Sequence, residues 1–193
     1  MEKLLLREYN ELSLGGEQVK RNEYGNIVIP NVLLQRANAR NKNGRIYSRS
    51  LLDRELNRYM SSIKERNALG ELDHVDESIV NLQKASHLVT EAHWNNDEIR
   101  GTIEILAATA QGKNLDGLIS SRVKVGISSR GVGTVQEVGG QTLVNDDFIL
   151  ICWDVVSDPS THGAYLLEGT SVVKKVMSKD EQIKKIVEEY FGK

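Results

Sequence analysis

The chain has 193 residues, of which 39% are hydrophobic, 27% charged and 5% aromatic, and its formal net charge is −2. That balance describes one well-cored soluble domain and excludes a disordered chain, while the near-zero charge leaves no global basic field to hold a phosphate backbone. The lone Cys152 excludes an internal disulfide, and no run reaches the roughly 18 apolar residues of a membrane span.

In chain order, Met1-Glu2-Lys3-Leu4-Leu5-Leu6-Arg7-Glu8 is broken by charge too soon to be a secretory h-region, so a cytoplasmic protein is expected. Residues 26–39, interrupted by Pro30, predict a strand, and Asn41-Lys42-Asn43-Gly44 supplies turn chemistry. A helix follows, capped by Ser48 or by Ser50 with Asp53, because Leu52, Leu56, Tyr59 and Ile63 recur on one face. Residues 68–74 read as a short strand. Residues 86–92 and 99–107 read as paired strands about an Asn95-Asn96-Asp97 turn. A short helix over 115–121, a strand over 122–129, a hairpin through Gly139-Gly140 and a strand over 148–156 come next. Ser178-Lys179-Asp180-Glu181 is a capping box that predicts a C-terminal helix over about 178–192. With no linker and no repeat, residues 1–193 are expected to form a single α+β domain on an antiparallel barrel or curled sheet with flanking helices.

Two segments place a catalytically capable side chain at a strand end beside glycine: Gly70-Glu71-Leu72-Asp73-His74 and Val125-Gly126-Ile127-Ser128-Ser129-Arg130-Gly131. A serine hydroxyl is a poor nucleophile until a neutral imidazole takes its proton, and His74 is the candidate base. Alternation sets Val123, Val125, Ile127 and Ser129 on one face and Lys124, Gly126 and Ser128 on the other, which favours Ser128 as nucleophile. A turn at Ser129, Arg130 and Gly131 would offer backbone N–H groups as an oxyanion hole. Asp154 ends the most apolar strand, where a carboxylate needs a partner, and is the candidate third member; His87 is the rival. The plainer alternatives are a surface histidine in an acidic turn at His74, a turn cap at Asp154 and a satisfied core histidine at His87. Cys152, inside Phe148-Ile149-Leu150-Ile151-Cys152-Trp153, reads as a small buried hydrophobe.

Asn43-Gly44-Arg45-Ile46-Tyr47, then Leu69-Gly70-Glu71-Leu72-Asp73-His74, then Gly126-Ile127-Ser128-Ser129-Arg130-Gly131-Val132-Gly133 together resemble the prohead core proteases of tailed phages. The resemblance extends through Ser86-His87 and Trp153-Asp154-Val155-Val156-Ser157, over about residues 26–170. It implies His74 as base and Ser128 as nucleophile. A relationship to the herpesvirus assembly proteases, whose third member lies downstream of the serine, implies Asp154 rather than His87 and a fold like the herpesvirus assemblins. The sequence departs from the family pattern at Asp73-His74-Val75, where a glycine or asparagine and a proline usually flank the histidine.

The resemblance further implies a serine endopeptidase acting inside the assembling prohead, in the host cytoplasm, on scaffold or core proteins and the major capsid precursor. Homo-oligomerisation is expected, with no nucleic acid, membrane, metal or cofactor. Cleavage is expected after a glutamate two residues beyond an aliphatic residue, with Arg130 or Lys124 facing that glutamate. Leu6-Arg7-Glu8, Leu166-Leu167-Glu168 and Ile186-Val187-Glu188 match, which suggests self-processing near the termini. The alternatives weighed are a non-catalytic scaffold or capsid-interaction module and a metal site at Glu71, Asp73, His74 and Asp76, although no H-E-x-x-H or C-x-x-C motif occurs.

Overall fold

The computed structural model describes residues 4–10, 20–73 and 78–157, and of residues 4–10 only the backbone. The C-terminal helix expected over 178–192 and the candidate base His74 lie outside the described residues. Among the described residues eleven strands and two helices run in the order β1 (Leu4–Asn10), β2 (Lys20–Arg21), β3 (Ile27–Arg36), β4 (Arg45–Ile46), α1 (Arg49–Lys64), β5 (Leu69–Glu71), β6 (Ala85–Asn95), β7 (Glu98–Ile105), α2 (Ala110–Ser120), β8 (Gly126–Gly133), β9 (Val135–Val138), β10 (Gln141–Val144) and β11 (Ile149–Val156).

The α+β class is as expected, but the strands do not close into a barrel. Among the described residues they form a five-stranded sheet β2-β3-β7-β6-β5 and two three-stranded sheets, β1-β8-β11 and β4-β10-β9. One pair, β4 with β10, is parallel. Among the described residues a parallel bridge between Leu72 and Val155 links the first two sheets. That junction is where the two candidate motifs approach each other.

Local chemistry accounts for most element boundaries. Pro30 has no N–H to give a ladder and Asn31 takes a left-handed φ of 57°, so β3 slips register between Ile29 and Val32. Ser48, not Ser50, caps α1, its hydroxyl accepting from the Leu51 N–H at 3.1 Å. Leu52, Leu56, Tyr59 and Ile63 are all buried, as their spacing requires.

α1 also fixes β11. Glu55, buried on the helix and flanked by Arg54 and Arg58, accepts the Leu150 N–H at 2.8 Å, and Arg58 donates to the Leu150 carbonyl at 2.5 Å. These bonds seat the register shift between Leu150 and Cys152, where β11 would otherwise leave backbone groups unpaired. One turn along, Tyr59 meets Trp153 edge to face at 4.8 Å. The helix therefore sets the position of the strand end that carries Asp154.

Strand β8 begins four residues later than alternation predicted. Arg122 takes a φ of 59° in the turn that leaves α2, and Val123 is exposed. The strand then runs through Ser129, Arg130 and Gly131, where a turn was expected, as far as Gly133.

Candidate active site

Ser128 and Ser129 both lie within β8, which is flanked by β1 on one side and β11 on the other. Register decides their surroundings, because residues opposite each other in an antiparallel ladder share a face. Ser129 is opposite Trp153 and Ser128 is opposite Asp154. The Ser129 hydroxyl is buried with no hydrogen-bond partner among the described residues. Ser128 is also buried, and it shares its face with Arg130, Cys152 and Asp154, all fully buried.

That face holds a compact ionic cluster. Arg130 Nε lies 2.8 Å from Asp154 Oδ2, and its Nη2 lies 3.0 Å from Glu71 Oε1 and 3.2 Å from Asp154 Oδ1. Asp154 Oδ1 also accepts the Glu71 N–H at 3.0 Å and the Cys152 thiol at 3.2 Å. Buried carboxylates need such donors, and every charge in the cluster has an opposite charge beside it. Burial works to lower the Arg130 pKa, but the carboxylates of Asp154 and Glu71 outweigh it and hold the guanidinium raised. Burial pushes the Cys152 thiol well above its usual value, and Asp154 adds to this, so the sulfur is a protonated donor and not a nucleophile.

The segment leading to His74 is stitched onto the same strand. Beyond the Glu71 bond, the Asp73 N–H donates to the Val155 carbonyl at 2.7 Å. Asp73, the last described residue before His74, takes a left-handed φ of 70°. Glycine, asparagine and aspartate tolerate that conformation best, so aspartate meets the backbone requirement where the family more often has glycine or asparagine.

His87 has both ring nitrogens engaged. Its Nε2 is 2.9 Å from the Trp153 carbonyl, which can only accept, so Nε2 carries the proton and Nδ1 accepts from the Ser86 hydroxyl at 2.8 Å. Burial lowers its pKa, against Asp154 and the Trp153 carbonyl, and the ring is neutral. Gly70 lies against this ring and against the Trp153 carbonyl, with no room for a Cβ. The ring thus braces β5 against β11.

The structure brings together Ser128, Asp154 and Arg130, and it adds Glu71 and Asn81, which the sequence reading did not single out as partners. Asn81 donates its N–H to Glu71 Oε1 at 2.6 Å. The available signal was charge within apolar surroundings: Glu71 and Arg130 each sit in a strand-like run where a charge needs a partner. Of the two cations expected to meet a substrate glutamate, Arg130 is buried and paired, while Lys124 is exposed. Among the described residues no cluster of three or more His, Cys, Asp or Glu could hold a metal ion, and no helix is long and apolar enough to cross a membrane.

A fold of this kind, with the serine and histidine motifs drawn to one sheet junction, belongs to an established class. The family model for prohead core protein serine protease matches residues 13–175, and the chain belongs to that family. It is 26% identical over 144 residues, 72% of this chain and 68% of the relative, to the prohead core protein protease of Enterobacteria phage T4. The solved structure of the bacteriophage T4 capsid assembly protease superposes with a TM-score of 0.73 at 25% identity, covering 81% of this chain and 99% of that one.

Proposed function

We propose that this chain is a serine endopeptidase that cleaves scaffold, core and capsid precursor proteins during phage prohead maturation, with Ser128 as nucleophile, His74 as general base and Asp154 as the group that orients the base. The observation that carries the reading is the junction itself. Ser128 and Asp154 are register partners, and the chain running into His74 is hydrogen-bonded to Asp154 and to the next residue, Val155. Asp73, the residue before His74, is thereby tied to the strand that carries Asp154.

The chemistry then follows the usual division of labour. The imidazole takes the Ser128 proton as the hydroxyl oxygen attacks the scissile carbonyl, and returns it to the leaving amine; the Asp154 carboxylate stabilises the imidazolium between the two events. His87 is set aside as third member because its ring is committed to Ser86 and Trp153. Ser129, Arg130 and Gly131 are central strand residues, so this reading assigns them register and positioning in place of oxyanion binding. Lys124 is retained as the cation that meets the substrate glutamate. The order histidine, serine, downstream third member is the one that the implied relationship to the herpesvirus assembly proteases leads one to expect. Ser128 has no exposed surface, so turnover requires access to be opened, which suits an enzyme that works in the assembling prohead within the host cytoplasm and self-associates there.

The test compares wild type, Ser128→Ala and Ser129→Ala on a peptide carrying Leu-Leu-Glu and on scaffold within proheads, each with a chelator control. Ser128→Ala is expected to cost on the order of 10⁶ in kcat, while Ser129→Ala, once shown to be folded, cleaves. A wild type inert on both substrates would replace this reading with the non-catalytic scaffold module.

A further inference from the structure

We propose that Arg130 is a positioning residue: by pairing with Glu71 and Asp154, its guanidinium sets the separation between the strand that carries Ser128 and the segment of residues 69–73 that leads to His74. The inference rests on the assignment of those two residues as nucleophile and base, and it adds what holds them in register.

Arg130 stands two residues from Ser128 on the same face of β8. Glu71 stands three residues before His74 at the end of β5. The ion pair between them is fully buried, at 3.0 Å, and ties the two motifs by side chains alone, since β5 and β8 belong to different sheets. Glu71 also holds the described chain on both sides of residues 74–77. On the near side its N–H is anchored on Asp154, itself paired to Arg130; on the far side its Oε1 accepts the N–H of Asn81. The Leu72 N–H donates to the Lys84 carbonyl at 3.3 Å, a further tie between the two described sides. A planar fork that reaches two carboxylates at once is what this junction needs, and an ammonium cannot reproduce it.

A salt bridge buried this completely adds little to stability, because desolvation offsets most of its Coulombic gain, so the role assigned to it is the geometry it fixes. A misplacement of about 1 Å between nucleophile and base is enough to cost on the order of 10²-fold in rate.

The experiment measures kcat, KM and the pH dependence of kcat/KM for Glu71→Gln, Arg130→Met, Arg130→Lys and the double variant Glu71→Gln with Arg130→Met, beside Ser128→Ala, with near-UV circular dichroism on each. We expect Glu71→Gln and Arg130→Met to lose on the order of 10²-fold in kcat with KM within about threefold of wild type, and the acid limb of kcat/KM to move. The double variant should be about as slow as either single, and Arg130→Lys should recover part of the loss. Glu71→Gln keeps the Arg130 to Asp154 pair and carries the test if Arg130→Met does not fold. A folded Glu71→Gln variant with wild-type kcat, or losses that multiply in the double variant, would overturn the proposal while loss of activity in Ser128→Ala leaves the mechanism standing. Retained activity in Ser128→Ala would instead remove the mechanism on which it rests.

Discussion

At the scale of single residues, His87 shows how a side chain that looks catalytic in sequence becomes a structural brace. Its ring is buried, neutral and bonded on both sides. In the unfolded chain the same imidazole returns to the ordinary value near 6.5 and binds a proton that the native state refuses. The unfolded state then binds more protons, so stability rises with pH across that window and is lost as pH falls below about 6.5. Glu98, Glu104 and Asp116 act lower down: burial opposes their ionisation in each, but for Glu98 and Glu104 the arginine and amide donors, and for Asp116 chiefly Arg21, hold the pKa below the ordinary value. Their contribution disappears as pH falls through those lowered values, which separates it from the histidine's. Urea titrations from pH 7 to pH 5 should therefore show a slope of at most about 1.4 kcal/mol per pH unit that His87→Gln flattens. An unchanged slope in that variant would mean that the proton goes elsewhere.

At the scale of elements, the reach of each signal explains what was legible in the sequence, and glycine explains part of what was not. The α1 face and the β6 to β7 hairpin were legible because their signals are local: 3.6-residue spacing with a serine cap, and a two-residue turn between β-rich runs. The start of β8 was not, because the Val123 and Val125 alternation continues backward through the turn that leaves α2. Its end was missed for the opposite reason. Gly131 and Gly133 look like turn residues, yet they sit in a strand because the ring and backbone of Phe148 cross them where a Cβ would stand. Gly70 belongs to the same class. Gly70→Ala must displace the Trp153 carbonyl or the His87 ring, so it should cost about 1–3 kcal/mol, with activity lost as Glu71 shifts. Gly117, exposed in α2 with open space around it, is the internal control: Gly117→Ala should gain about 0.5–1 kcal/mol. Chemical denaturation of the two variants side by side distinguishes crowding from a general intolerance of alanine.

At the scale of the whole molecule, the features that sequence reasoning missed are those that join distant parts: the break of the expected barrel into three sheets, the Glu71 to Arg130 pair, and β1 itself. No local pattern announces a strand whose partner lies more than a hundred residues away. Yet β1 bears on self-processing, because it contains Leu6-Arg7-Glu8, and its register sets Glu8 opposite Ser129 and Tyr9 opposite Ser128. A protease of extended substrates needs the backbone around the scissile bond free to pair with the enzyme, whereas here that backbone is paired with β8. Cutting after Glu8 would first require β1 to peel away, leaving an edge of the strand that carries the nucleophile unpaired. We therefore expect a synthetic peptide of residues 1–12 to be cut after Glu8, while intact-mass analysis of the folded, active chain finds its N terminus whole over the same period. Trimming at Glu8 as fast as cleavage of the peptide would mean that β1 is a substrate resting in its own site and not a fixed part of the sheet.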